Sequence, residues 1–171
     1  MTFGQQVTAT LIGTVSGFLL SIFLFYLKEK WIKHSAIKLL KKNVINEIEY
    51  NIKLLTQVLT DLKKCIEKIT VNDRLVYCNV NYGRFARYFL QSFYQSGHIS
   101  EKWNLNDIDK LDHIMIYYNV GSDSYVLHGL ENWRNSSLDQ RETLNILGFE
   151  RDNLEKHIND LTTLKNKLKT K

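Results

Sequence analysis

The chain contains no proline, and no glycine falls between Gly17 and Gly83. Proline removes a backbone donor and collides with the preceding turn, and glycine costs a helix interior about 1 kcal/mol relative to alanine. A stretch of that length holding neither has little in it to end a helix. The fold is therefore predicted to be all-α. At 171 residues, one compact domain with an appendage is expected.

The appendage is N-terminal. Residues 7–27, VTATLIGTVSGFLLSIFLFYL, carry no charged side chain. At 1.5 Å per residue such a run covers roughly 30 Å, the thickness of a bilayer's hydrocarbon core. A cleaved signal peptide would have basic residues ahead of a shorter apolar run. Here MTFGQQ has no charged side chain, and KEKWIK follows the run instead. The sequence thus divides into an N-terminal segment with a transmembrane helix, 1–27, and a cytoplasmic helical bundle, 28–171.

Between Lys28 and Lys42, six lysines stand against the single acid Glu29. The positive-inside rule then places the N-terminus outside and the bulk in the cytoplasm, with a single pass. Tyr26, Lys28, Lys30, Trp31 and Lys33 are predicted to lie at the membrane interface, where anionic lipid is the partner of the basic flank. Four more lysines, Lys165, Lys167, Lys169 and Lys171, form a second patch near the C-terminus. The pI near 9.1 reflects these two patches, not a uniformly basic surface.

The membrane helix has two faces. Gln6, Thr10, Gly13, Thr14, Gly17 and Ser21 recur at steps of three and four and share one side, while Leu11, Ile12, Phe18, Leu19, Ile22 and Phe23 occupy the other. Hydroxyls that face lipid lose their bonds to water, so a lone anchor gains nothing from such a stripe. Two arrangements account for it. Gly13 and Gly17 form a GxxxG pair that lets helices pack closely, with the hydroxyls bonded back to the i−4 carbonyl. Alternatively, several copies line a water-filled lumen with the stripe. Both predict a homo-oligomer; only the second predicts a pore.

Beyond the membrane, an apolar stripe continues through Ile37, Leu40, Val44, Ile48, Ile52, Leu55, Leu59, Leu62, Ile66 and Ile69, which predicts one long helix ending near Val71-Asn72-Asp73. Further helices are predicted over 82–97, closed by Gly97; over 106–133, capped by Asn106 and interrupted near Gly121; and over 136–168, capped by serines with a kink at Gly148. Phe85, Phe89 and Phe93 fall on one face of the first of these and read as core. Arg84 and Arg87 beside them are not taken as a nucleic-acid platform. Cys65 and Cys78 form no CxxC pair and read as structural thiols. No metal-ligand spacing or phosphate-binding glycine loop occurs, so neither metal nor cofactor is expected.

The stretch RDNLEKH, Arg151 to His157, carries the one constellation with a chemical reading. Six residues turn a straight helix by about 120°, so one helix does not aim Arg151 and His157 at the same phosphate. Pairs Arg151–Glu155 and Asp152–Lys156 are expected instead. Leu154, His157, Leu161, Leu164 and Leu168 follow three–four spacing, which puts His157 on the apolar seam.

An arginine, a polar residue (Asp152 or Asn153) and His157, late in a cytoplasmic helical bundle, resemble the motif of the HEPN superfamily. That resemblance implies a metal-independent ribonuclease site built from two motifs across a dimer, with Arg151 stabilising the scissile phosphate and His157 in acid–base transfer. The whole layout, membrane helix, basic flank and single motif, is similar to the small membrane accessory proteins of type VI-B CRISPR–Cas systems. It implies a bacterial inner-membrane protein working beside an RNA-guided ribonuclease in antiphage defence. It also implies a ring-shaped homo-oligomeric pore, an octamer among the sizes considered. Residues 150–157, ERDNLEKH, hold three acids against two bases, which discourages phosphate and direct RNA binding. The sequence leaves three functions standing: a pore in which the motif serves assembly or regulation, a membrane-tethered HEPN ribonuclease, and a single-pass scaffold for a cytosolic partner.

Overall fold

The structure is a computed structural model that describes residues 3–119 and 122–170. Its described residues form helices without strands: α1 (Phe3–Thr70), α2 (Tyr88–Gln95), a 3₁₀ turn (His98–Glu101), α3 (Leu105–Tyr117), α4 (Ser122–Arg134) and α5 (Gln140–Lys169). The chain divides into two compact units, Met1–Lys41 and Lys42–Lys171.

In the first unit α1 is uninterrupted, and its described side chains are exposed almost throughout, including Leu11, Ile12, Phe18, Leu19, Ile22, Phe23 and Trp31. Among the described residues this is the one helix long and apolar enough to cross a membrane. Thr14 Oγ1 donates to the Thr10 carbonyl at 2.9 Å, and Ser21 Oγ to the Gly17 carbonyl at 2.8 Å. A Cβ built on Gly13 or Gly17 would meet no atom within 4 Å. Gln6 falls outside the residues whose side chains are described. Lys33 pairs with Glu29 at 2.7 Å across one turn.

The second unit is a bundle around a leucine-rich core. From α1 it takes Val44, Ile48, Leu55, Val58, Leu62, Cys65 and Ile69, a buried three–four seam. α1 stops at Thr70, and Asn72 adopts a left-handed φ of 65°, so the chain turns where Val71-Asn72-Asp73 was expected to end the helix. α5 supplies the opposing seam. Its core positions alternate in two columns of seven-residue period. One is all leucine: Leu147, Leu154, Leu161 and Leu168. The other reads Thr143, Glu150, His157 and Leu164. Gly129 of α4 lies so close to Ile146 of α5 that an added Cβ would sit 3.2 Å from it.

Segment 76–82 is neither helix nor strand, and its burial alternates. Val76, Cys78, Val80 and Tyr82 are buried and the residues between them exposed, the period-two pattern of a strand without a strand neighbour. Its carbonyls are met by side chains instead. Cys65 Sγ donates to the Tyr77 carbonyl at 3.2 Å, and Arg134 donates twice to the Val76 carbonyl.

Several sequence expectations are corrected here. The helix expected over 82–97 is only Tyr88–Gln95, because Asn51 of α1 holds Ala86 by both its amide and its carbonyl (2.8 and 2.6 Å) in non-helical backbone. Phe85 and Phe93 are buried as expected, while Phe89 is only partly so. Gly97 does close this stretch in the left-handed conformation, φ 73°. α3 is capped by Asn104 rather than Asn106: its side chain accepts from the Asp107 amide, and Asp107 answers in a capping box. That choice places Asp107 at N3, where Lys167 of α5 binds both its oxygens at 2.6 and 2.7 Å. α5 is capped by Asp139 with Glu142, not by serine, and Ser136 takes a positive φ of 58° in the turn before it. Through Gly148 the helix is continuous. Gly121, where an interruption was expected, lies outside the described residues; α3 ends at Tyr117 and α4 begins at Ser122.

Candidate functional site

The α5 column Thr143–Glu150–His157 sets three polar side chains, each at most 1 % exposed, into an otherwise apolar core. A buried carboxylate or imidazole is tolerated only where partners replace water. Glu150 finds two: Tyr82 from segment 76–82 donates a very short bond to Oε1, and Tyr117 from the end of α3 donates another to Oε2. Asn153 Nδ2 donates to the Tyr117 hydroxyl at 3.3 Å. Two turns on from Glu150, Nδ1 of His157 shares a 2.9 Å bond with the Tyr118 hydroxyl.

Rings close the cluster. Phe85 stacks on Tyr118 at 4.8 Å between centroids, Tyr82 tilts against Tyr118 at 4.9 Å, and His157 meets Tyr117 and Tyr118 edge-on at 5.0 and 5.4 Å. His113 of α3 comes within 5.6 Å of His157.

The electrostatics follow from burial. Burial first, then the Glu150 carboxylate, pushes the hydroxyls of Tyr82, Tyr117 and Tyr118 well above the ordinary phenol range, so all three stay protonated as donors. Burial, reinforced by His113 and Lys156 and opposed by Asp160, lowers the His157 imidazole to about 4. The ring is therefore neutral near pH 7. Its Nε2 is buried without a hydrogen-bond partner.

Arg151 stands elsewhere. Its side chain is 41 % exposed, and its guanidinium binds the neighbouring Asp152 through Nε at 2.9 Å and a terminal nitrogen at 2.8 Å. The expected Arg151–Glu155 pair does not form, and Glu155 binds Lys63 of α1 at 2.8 Å instead. Arg151 and Asp152 line an open cavity of about 530 Å³ with Ile66, Thr70, Leu144 and Phe149; His157 is not among its lining residues. Of the four motif residues, Asn153 and His157 thus join the tyrosine cluster, and Arg151 and Asp152 pair on the surface. Within one chain Arg151 and His157 are not brought together.

Comparison with protein-family models, with curated proteins and with solved structures gives no match to this chain. The geometry alone has to carry the reading. What the cluster can do chemically is limited: two protonated phenols on one carboxylate, and a third paired with a neutral imidazole, form two hydrogen-bonded groups in ring contact that tie α5 to the end of α3 and to segment 76–82.

Sequence reasoning missed Glu150, Tyr82, Tyr117, Tyr118 and the approach of His113. One signal was available. Glu150 precedes His157 by seven residues, so a seam that buries one buries the other.

Proposed function

We propose that this chain is a self-assembling pore protein of the bacterial inner membrane, which supports RNA-targeting CRISPR antiviral defence by permeabilising and depolarising that membrane. The observation that carries the reading is a single exposed apolar helix with one face of small and hydroxylated residues. Leu11, Ile12, Phe18, Leu19, Ile22 and Phe23 face lipid, and Gln6, Thr10, Gly13, Thr14, Gly17 and Ser21 line the lumen. Thr14 and Ser21 hydroxyls already donate within the helix. Each oxygen keeps lone pairs that accept from water in a lumen, whereas lipid would leave them idle. The N-terminus lies outside, Tyr26, Lys28, Lys30, Trp31 and Lys33 sit at the cytoplasmic headgroups, and copies assemble as a ring. An RNA-guided ribonuclease supplies the signal that viral RNA is present.

In this reading the motif is architectural. The burial of His157 and its bond to Tyr118 support that assignment. A membrane-tethered HEPN ribonuclease would need His157 to leave that bond and reach solvent at a dimer interface, where the motifs of two chains meet.

The test is leakage from vesicles containing the purified chain, after its particle mass in detergent has been measured. Joint Thr10→Leu and Thr14→Leu substitution is expected to abolish leakage at unchanged protein level and particle mass. A monomeric or dimeric particle, or undiminished leakage, overturns the pore. Cleavage of single-stranded RNA that disappears with His157→Ala would establish the ribonuclease instead.

A further inference from the structure

Glu47 is a second buried acid, 6 % exposed, set on α1 one turn before the Asn51 clamp. Its Oε2 accepts from the Leu90 amide at 2.9 Å, with the amides of Tyr88 and Phe89 alongside. Its Oε1 has no hydrogen-bond partner. Burial raises the carboxyl above the usual carboxylate range, and the three amides only partly offset it. A carboxylate held this way is stabilised by any cation that comes near.

Glu47 lines an open cavity of about 430 Å³ together with Asn43, Asn46, Tyr50, Tyr88 and Phe89. That is the size of a small-molecule site. Tyr88 and Phe89 meet edge to face at 5.1 Å, and Tyr88 is 72 % exposed. Aromatic faces next to a carboxylate suit a cation with an apolar body, and the two asparagines add carboxamide oxygens as acceptors. Anions are disfavoured, because Glu47 already occupies the amides at the start of α2 that would otherwise attract them.

We propose that this cavity binds an organic cation, a guanidinium or primary ammonium carried on a short apolar stem. Glu47 supplies the charge, Tyr50, Tyr88 and Phe89 hold the stem, and the asparagines orient the head group. The site is independent of the pore and of the Glu150 cluster.

The full chain in detergent is titrated calorimetrically with pentylguanidinium and with its neutral isostere pentylurea. The guanidinium is expected to bind at least about tenfold more tightly, because a positive head group beside the buried Glu47 carboxylate is attracted where a neutral urea is not. Glu47→Gln, which keeps an acceptor for the Leu90 amide, removes that preference, and Tyr88→Ala weakens the guanidinium about threefold. Equal affinities, no guanidinium binding, or a preference that survives Glu47→Gln overturns the site. If Glu47→Gln loses its helical signal, Tyr88→Ala decides, and an unchanged preference there also overturns it. A particle mass unchanged by pentylguanidinium shows that no side chain of a second copy is displaced, and the site then takes a free cation. A mass that falls marks a lysine or arginine side chain from a second copy in the same cavity.

Discussion

The two units of this chain handle exposed and buried chemistry in opposite ways. In residues 10–36 the apolar side chains are exposed and the hydroxyls of Thr14 and Ser21 donate within their own helix. In the second unit a seam of apolar side chains such as Val44, Leu62, Leu154 and Leu161 is enclosed, and buried polar groups such as Glu150 and His157 bond to groups far away in sequence. An exposed helix with no packed neighbour has only its own backbone to offer a hydroxyl as a partner. A water-facing bundle can bury polar groups, provided the fold brings their partners. The difference teaches that α1 satisfies its polar groups in two ways, within its own turns near Thr14 and Ser21 and through distant partners at Glu47 and Asn51.

The largest effect should come from a core leucine. Leu154→Ala is expected to destabilise the bundle by about 2–5 kcal/mol in denaturant unfolding, while Leu19→Ala leaves that transition where it was. Comparable losses for both would erase the contrast.

Next, Leu19→Arg places a charge in the apolar run, at about 2.5–3.5 kcal/mol for a central position on insertion scales. The variant is expected to shift toward the soluble fraction on membrane pelleting and to keep its bundle folded; full retention in the pellet would mean that residues 7–27 are not the span.

The third effect is pH-dependent. His157 is lowered from 6.5 to about 4 in the fold, so the unfolded chain binds the extra proton first. Its contribution is complete above pH 6.5 and is lost as pH falls toward 4, up to about 3 kcal/mol. Unfolding of wild type and His157→Gln across that window isolates it. Parallel curves would show that His157 titrates normally.

The smallest effect sharpens the first unit. Thr14→Val removes a bond that stays within one helix, and the bundle's stability should move by less than about 0.5 kcal/mol.

Much of this was legible in the amino-acid pattern. The absence of proline and the three–four spacing gave the all-α class, the long α1 and its end, and the core position of His157. The boundaries of α2, α3 and α5 were less legible because caps compete locally. Asn104 caps α3 with Asp107, and Asp139 caps α5 with Glu142, although Asn106 and Ser136 also have an acid three residues on (Asp109 and Asp139), so the box pattern alone does not choose between neighbouring caps. Segment 76–82 was hidden for a different reason. Its backbone partners are Cys65 and Arg134, and no local signal announces a contact made across so many residues. The candidate cluster was half visible: the histidine sits on a periodic seam, whereas the tyrosines reach it from two other elements.

The two columns of α5 bear on alignment as well as stability. An all-leucine column, Leu147 to Leu168, would accept a neighbour displaced by one heptad, about 10.5 Å, nearly as well as the native placement. The Thr143–Glu150–His157 column would not. After such a slip the Glu150 carboxylate would leave Tyr82 and Tyr117, and His157 would leave Tyr118, stranding a charge in hydrocarbon. The polar column thereby works as a vernier, admitting one setting of α5 where leucine alone would admit several.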